Sequence, residues 1–196
     1  MVDLGNAGQF LGIQIFWNRK NRKLYLNQAA YIDKILEYFR LQICNSTSIP
    51  IETLNNLWAA DLDLLLYNLR EYLSIVGYLM YTMIGTQLNL AFPVSTLSHF
   101  KAHSTKQHYG AAKRVLRYLC HTRNYGIVYG GNKITMEGFS DSDWTNDKDG
   151  QRSINKYVFK ICVGAITWKS RKQSLVALSS TEAEYVGYSE AAKEVI

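Results

Sequence analysis

Acidic residues come in pairs at two places near the C-terminal end of this sequence: Asp141 and Asp143 within Phe139-Ser140-Asp141-Ser142-Asp143-Trp144, and Glu182 and Glu184 within Ser179-Ser180-Thr181-Glu182-Ala183-Glu184-Tyr185. The first pair closes an apolar, β-leaning run (Ile134, Met136, Phe139), and the second falls in the first turn of an expected helix. Carboxylates delivered by separate elements are what two-metal phosphoryl chemistry needs, because its cations lie about 3.5–4 Å apart and each is held by several oxygens. Two apart on a strand, Asp141 and Asp143 share a face, whereas Glu182 and Glu184 diverge on a helix. Glu182, three residues after Ser179, also fits a capping box. A solvated strand end and a helix terminus explain the same acids, and spacing alone does not choose between the readings.

The elements that must position these residues follow from periodicity. Residues 9–17 alternate as a strand, Asn18 to Lys23 form a basic turn, and Leu24-Tyr25-Leu26 resumes an extended pattern, which predicts a β-hairpin. A helix opens at Asn27 or Gln28, with Ile32, Ile35, Leu36 and Phe39 at helical spacing. Residues 41–57, with Asn45-Ser46-Thr47-Ser48 and Pro50, have loop composition and mark a boundary. Helices are predicted from Tyr67 to about Gly85, from Leu90 to Phe100, and after a cap at Ser104 or Thr105. Strands follow: Tyr125 to Tyr129, a Gly130-Gly131-Asn132 hairpin signal, Ile134 to Ser140, then Tyr157 to Cys162 and Ala165 to Trp168 around Gly164. The order predicts an α+β fold.

The chain has 196 residues, 47% hydrophobic and 19% charged, within the globular range. A net charge of +6 and a pI near 9.1 suit a polyanionic partner without establishing one. On the helix capped by Ser104 or Thr105, Lys106, Lys113 and Arg117 lie together on the outward side, and Arg19, Lys20, Arg22 and Lys23 crowd the hairpin tip; both groups suit phosphate contacts, and equally a solvated face. Cys44, Cys120 and Cys162 form no C-x-x-C pair and lie far apart in sequence, which argues against a disulfide framework or zinc site and for an intracellular setting, cytoplasmic or nuclear. His99 and His103 stand at i, i+4 without a third ligand nearby, and Asp147-Lys148-Asp149-Gly150 reads as a turn. No signal peptide or membrane span is apparent in the sequence.

The string from Gly138 to Trp144, followed by Arg152-Ser153, Tyr157-Val158-Phe159, Thr167-Trp168-Lys169-Ser170-Arg171-Lys172-Gln173-Ser174 and Ser179 to Tyr185, resembles the start of the RNase H domain of copia-type retrotransposon Pol polyproteins. Upstream, Phe10-Leu11-Gly12-Ile13 with Tyr31-Ile32 is similar to that family's reverse transcriptase primer-grip hairpin and the helix after it. Ile75 to Tyr81 and Ala112 to Leu119 are similar to its thumb and connection. Three regions follow from the resemblance: 1–50 (primer-grip hairpin and thumb helix), 51–124 (helical connection) and 125–196 (RNase H-like). The fold it implies is a β-hairpin and helical thumb/connection region, followed by an incomplete RNase H-like mixed sheet with one helix.

By motif position the resemblance makes Asp141 and Glu184 the first two catalytic carboxylates and ligands of Mg2+, with Asp143 and Glu182 as neighbours. The implied parent activity is two-metal cleavage of RNA in RNA–DNA hybrids. The family's polymerase aspartates have no counterpart here, and the strands bearing its third and fourth acids would follow Ile196. The chain is therefore expected to be an inactive, truncated remnant; a non-catalytic nucleic-acid-binding module and a pseudogene product are the alternatives. Expected partners are an RNA–DNA hybrid or duplex, no membrane, and a second copy through an unpaired sheet edge. Thr86-Gln87-Leu88-Asn89 departs from the family's usual Thr-Arg-Pro-Asp, and Ser153-Ile154-Asn155-Lys156 from Ser-Thr-Ser-Gly, putting lysine where a turn favours glycine.

Overall fold

The computed structural model describes residues 5, 7–51, 68–131, 134–144 and 150–195. The N-terminal residues 1–4, the loop stretch 52–57, the start of the second helix at Tyr67, Asn132 of the hairpin signal and the turn at 147–149 lie outside the described residues.

Apolar alternation and a basic turn give the expected hairpin. Strands β1 (Gln9–Phe10), β2 (Ile13–Asn18) and β3 (Lys23–Asn27) pair antiparallel, and the tip is tied by the Asn21 amide donating to Asn18 Oδ1 at 3.1 Å. Helix α1 (Ala29–Tyr38) then turns Ile32, Ile35 and Leu36 inward. Against them pack α2 (Leu69–Gly85), α3 (Ala91–His99) and α4 (Lys106–His121), which contribute Tyr72, Ile75, Val76, Leu79, Val94, Leu97, Ala112, Val115, Leu116 and Leu119 to one continuous core. Asn68 caps α2 by accepting from the Glu71 amide at 3.2 Å, and Thr105 and His108 form a capping box on α4. A single 3-10 turn (Leu88–Leu90) joins α2 to α3, and Pro93 falls in the first turn of α3, where no intrahelical acceptor is lost. Within the core the Tyr72 hydroxyl donates to the Leu97 carbonyl at 2.7 Å, and burial pushes its pKa up.

Strand β4 (Gly126–Tyr129) departs from the hairpin the sequence suggests. It pairs with β3, placing Leu24 opposite Tyr129 and Asn27 opposite Gly126, so the N-terminal sheet runs β1-β2-β3-β4. The outer edge of β3 is thereby filled, and Gly126 permits the approach: a Cβ there would come within 2.2 Å of the Leu26 carbonyl oxygen.

The second sheet holds β5 (Met136–Asp143), β6 (Ile154–Ile161) and β7 (Gly164–Lys172) in that order. A mixed sheet was expected; among the described residues both its ladders are antiparallel. No turn forms at Lys156, which lies within β6 opposite Asp141, because the alternation of buried Tyr157 and Phe159 continues through it as strand. The sheet is covered on both faces. Helix α5 (Ser180–Val195) lies on one, and on the other the Trp168 indole donates to the Met83 carbonyl at the end of α2, at 3.1 Å. The architecture is α+β, as expected.

The β6–β7 turn is Cys162-Val163, with both residues at positive φ (50° and 64°) and Val163 69% exposed. A β-branched residue is strained there, and Asn-Gly is the pair that such a turn favours. Replacing Cys162→Asn together with Val163→Gly should raise the urea unfolding midpoint, by a stabilisation of about 1 kcal/mol with an unchanged denaturant slope.

Candidate functional site around the end of strand β5

Strand alternation divides the acidic end of β5 between two faces. Ser142 is buried and points at α5: a Cβ added to Gly187 would sit 2.2 Å from Ser142 Oγ, so only glycine lets the helix lie this close. Asp141 and Asp143 therefore project to the opposite face, toward α3. Lys156 stands directly across the ladder from Asp141, its Nζ 3.5 Å from Asp141 Oδ2 and hydrogen-bonded to Asp143 Oδ2. The same ammonium lies 5.4 Å from the centre of the Phe92 ring of α3. Asp141, Lys156 and Phe92 border a cavity of about 240 Å3 lined also by Leu88, Phe139, Val158 and Trp168.

Helix α5 has little to bury: its inward residues are Ala183, Gly187 and Ala191. Polar groups do the anchoring. Buried Gln173, just after β7, donates through Nε2 to Asn155 Oδ1 at 2.5 Å and to the Ala183 carbonyl at 2.9 Å. Asn155 also accepts from Ser142 Oγ at 3.0 Å and donates to Glu190 Oε2 at 3.0 Å. At the helix start Glu182 accepts from the Leu178 amide, at 2.7 Å, while its own amide donates to Ser179 Oγ, so it has the capping role its spacing suggested. Trp144 fixes the approach to α5 by donating from Nε1 to the Ala177 carbonyl at 3.1 Å. Farther along, burial, with Glu194 adding to it, pushes the Tyr157 hydroxyl up to about 12.

Of the sequence-derived candidates, Asp141 ends up 63% exposed and ion-paired, and Glu184 half-buried on α5 beside Ala183. Their elements pack together, but Ser142, not Asp141, is the β5 residue that meets the helix. A divalent cation does not fit the arrangement at Asp141, where an ammonium already stands between the two aspartates. Among the described residues no three His, Cys, Asp or Glu side chains are grouped to hold a metal ion. The i, i+4 spacing of His99 and His103 has no helical meaning, because α3 ends at His99.

Lys106, Lys113 and Arg117 all lie on α4. Lys106 and Lys113 are exposed, with Lys113 Nζ 4.5 Å from the centre of the Tyr109 ring. Arg117 is half-buried: its Nε donates to the Asn45 carbonyl at 2.6 Å and its own carbonyl accepts from the Thr47 amide at 3.5 Å. With Arg114, whose Nε donates to the Ile49 carbonyl at 3.3 Å, it clamps the loop after α1 onto α4. That clamp brings Cys44 beside Cys120 despite their separation in sequence; burial pushes the Cys44 thiol up and the hydrogen bond with Cys120 adds to it. At the other basic cluster Arg19, Arg22 and Lys23 border a cavity of about 510 Å3 together with Trp17 and Tyr129. Lys156, Asn155, Gln173 and Arg114 escaped the sequence reading, and only the departure of residues 153–156 from the family pattern pointed toward the first two.

The chain is 37% identical, over its whole length, to the retrovirus-related Pol polyprotein from transposon TNT 1-94 of Nicotiana tabacum, and it covers 15% of that protein. It is 36% identical over 90% of its length to the Pol polyprotein from transposon RE1 of Arabidopsis thaliana, covering 12% of it. Secreted RxLR effector protein 161 of Plasmopara viticola is 44% identical over 64% of this chain and 89% of its own length. No family model and no solved structure matches the chain. The chain belongs to the family of retrovirus-related Pol polyproteins of transposons. It spans less than a sixth of the transposon polyproteins TNT 1-94 and RE1. Among the described residues no helix is long and apolar enough to cross a membrane.

Because α5 is held by amide groups, losing one should loosen the helix without emptying a core. Gln173→Leu removes the amide donor shared by Asn155 Oδ1, which keeps only Ser142 Oγ, and the Ala183 carbonyl, with an expected cost of about 1–3 kcal/mol. Amide hydrogen exchange should accelerate throughout 180–195 and stay slow in α2 and α4.

Proposed function

We propose that the chain is the part of a copia-type Pol polyprotein that carries the reverse transcriptase thumb and connection, followed by the opening of the RNase H domain. In this reading Asp141 and Glu184 belong to the carboxylate set that cleaves the RNA strand of an RNA–DNA hybrid. The observation that supports it most is the packing of α5, with Glu184 near its start, onto the strand that carries Asp141. The order of motifs along the whole chain and its relatives among transposon polyproteins support it too.

Mg2+ bound there would activate water and stabilise the leaving oxygen. These residues alone do not make that site. Asp141 is already paired with Lys156 and Glu184 lies on the helix across β5, so our reading is that this chain by itself does not cleave hybrids. Incubated with labelled RNA–DNA hybrid and Mg2+ or Mn2+, the purified chain should give no more product than a variant carrying Asp141→Asn and Glu184→Gln. Cleavage above that control overturns the inactivity.

The second reading, a non-catalytic nucleic-acid-binding module, is favoured by the exposed Lys106 and Lys113 and the net charge of +6. Affinity for hybrid or duplex should be weak, independent of sequence and steeply reduced by salt, since phosphate neutralisation releases counterions. Lys106→Ala with Lys113→Ala should flatten the slope of log K against log salt by about 2, at roughly 0.9 per phosphate contact. Fluorescence anisotropy across a salt series measures this, and an unchanged slope makes the two lysines a solvated face only.

A further inference from the structure

We infer that Lys156 is a built-in counter-ion of Asp141 and Asp143, standing where a divalent cation would otherwise be drawn and keeping this carboxylate pair closed to metal. The inference rests on the proposed role of Asp141 only for the expectation that a cation is what the lysine replaces.

The β5–β6 register fixes the arrangement. Asp141 and Lys156 are direct cross-strand partners, and Asp143, two residues on, shares the same face. One ammonium thus reaches both carboxylates, 3.5 Å from Asp141 Oδ2 and hydrogen-bonded to Asp143 Oδ2. The third side is closed by the Phe92 ring, 5.4 Å to its centre, and the lysine side chain is only 33% exposed. The pattern repeats four residues along the ladder, where Lys160 faces Glu137 with Nζ 3.5 Å from Oε2 and 5.0 Å from the centre of the Phe139 ring. Strand β6 therefore presents a lysine directly opposite Asp141 and Glu137, and Lys156 also reaches Asp143.

A hydrated divalent ion entering between Asp141 and Asp143 must shed water and drive the ammonium away. If the lysine stays, the ion meets a like charge within a few ångströms. If it leaves, its charge goes toward a cavity walled by Phe92, Val158 and Trp168 or out into solvent. The tether makes the lysine a competitor that cannot be diluted. A residue without charge at 156 leaves both carboxylates without their ammonium, Asp141 at the wall of that 240 Å3 cavity, and open to a cation.

Mn2+ binding to the full chain, read from the electron paramagnetic resonance signal of the free ion, tests this without reference to catalysis. The native chain and Lys156→Arg, which keeps the charge, should both bind weakly. Lys156→Gln, which keeps polarity and approximate length, should tighten binding by at least about tenfold. Adding Asp141→Asn or Asp143→Asn to Lys156→Gln should return it to the native value. Circular dichroism melts establish that each variant is folded. The inference is overturned if the native chain binds Mn2+ as tightly as Lys156→Gln, or if the gain survives both aspartate substitutions. Glu184→Gln in the Lys156→Gln background reads the other assignment separately. A gain that needs both aspartates but not Glu184 supports the counter-ion and overturns Glu184 as their metal partner.

Discussion

The docking of helix α5 is organised by one buried contact between amides, Gln173 Nε2 to Asn155 Oδ1. Helix α5 turns Ala183, Gly187 and Ala191 to the sheet, and burying two methyl groups contributes on the order of 1–2 kcal/mol. That is too little to order sixteen residues. Small inward residues instead bring the helix close enough for its backbone and acids to join the network, since Gln173 also holds the Ala183 carbonyl and Asn155 the Glu190 carboxylate. Without Asn155 and Gln173 the helix would keep only its few alanine contacts, Ala191 against Tyr157 and Phe159, and the exposed hydrogen bond from Thr167 Oγ1 to Glu194 Oε1.

The same closeness decides which residues at the end of β5 can meet the helix. Gly187 admits Ser142, and the pleat then commits Asp141 and Asp143 to the far side, where β6 supplies Lys156. Docking of α5 and pairing of the acids are thus two results of one register. A one-residue slip of β5 against β6 would bury the carboxylates under α5 and leave Ser142 facing Phe92, so the charged face and the amide network each penalise the error the other would permit.

The helical body was legible because its signals are local. Ile32, Ile35 and Leu36, or Val115, Leu116 and Leu119, recur at helical spacing, and the bounds of α1 to α4 fall within a few residues of those periodicities. Strand existence was legible too, through alternation and turn residues. Strand partnership was not: Gly130-Gly131 carries a hairpin signal, yet β4 joins β3, because an unfilled edge far upstream competes for it. Nor could spacing show that Arg117, on the outward side of α4, turns back to hold the Asn45 carbonyl, since that depends on where the loop after α1 runs. At the site, the motif found Asp141 and Glu184. It marked Lys156 and Gln87 only as departures from the family pattern, not the cross-strand register that sets the role of Lys156 or the burial of Gln87, which donates to the Thr122 carbonyl at 3.0 Å.

The β3–β4 ladder has a consequence for the order of events as the chain emerges from a ribosome. Tyr25 hydrogen-bonds to the carbonyl of Asn124, a residue 99 positions later, and β4 follows it directly. The hairpin can close as soon as it is made, but its outer edge then stands bare while four helices are synthesised, for about 5–20 s at ordinary elongation rates. Over that interval the helices gather around Leu79 and Leu116, and their collapse shortens the loop that must close before β4 can dock. The last strand of the N-terminal sheet is in this sense a latch, set only after the helical body has formed behind it.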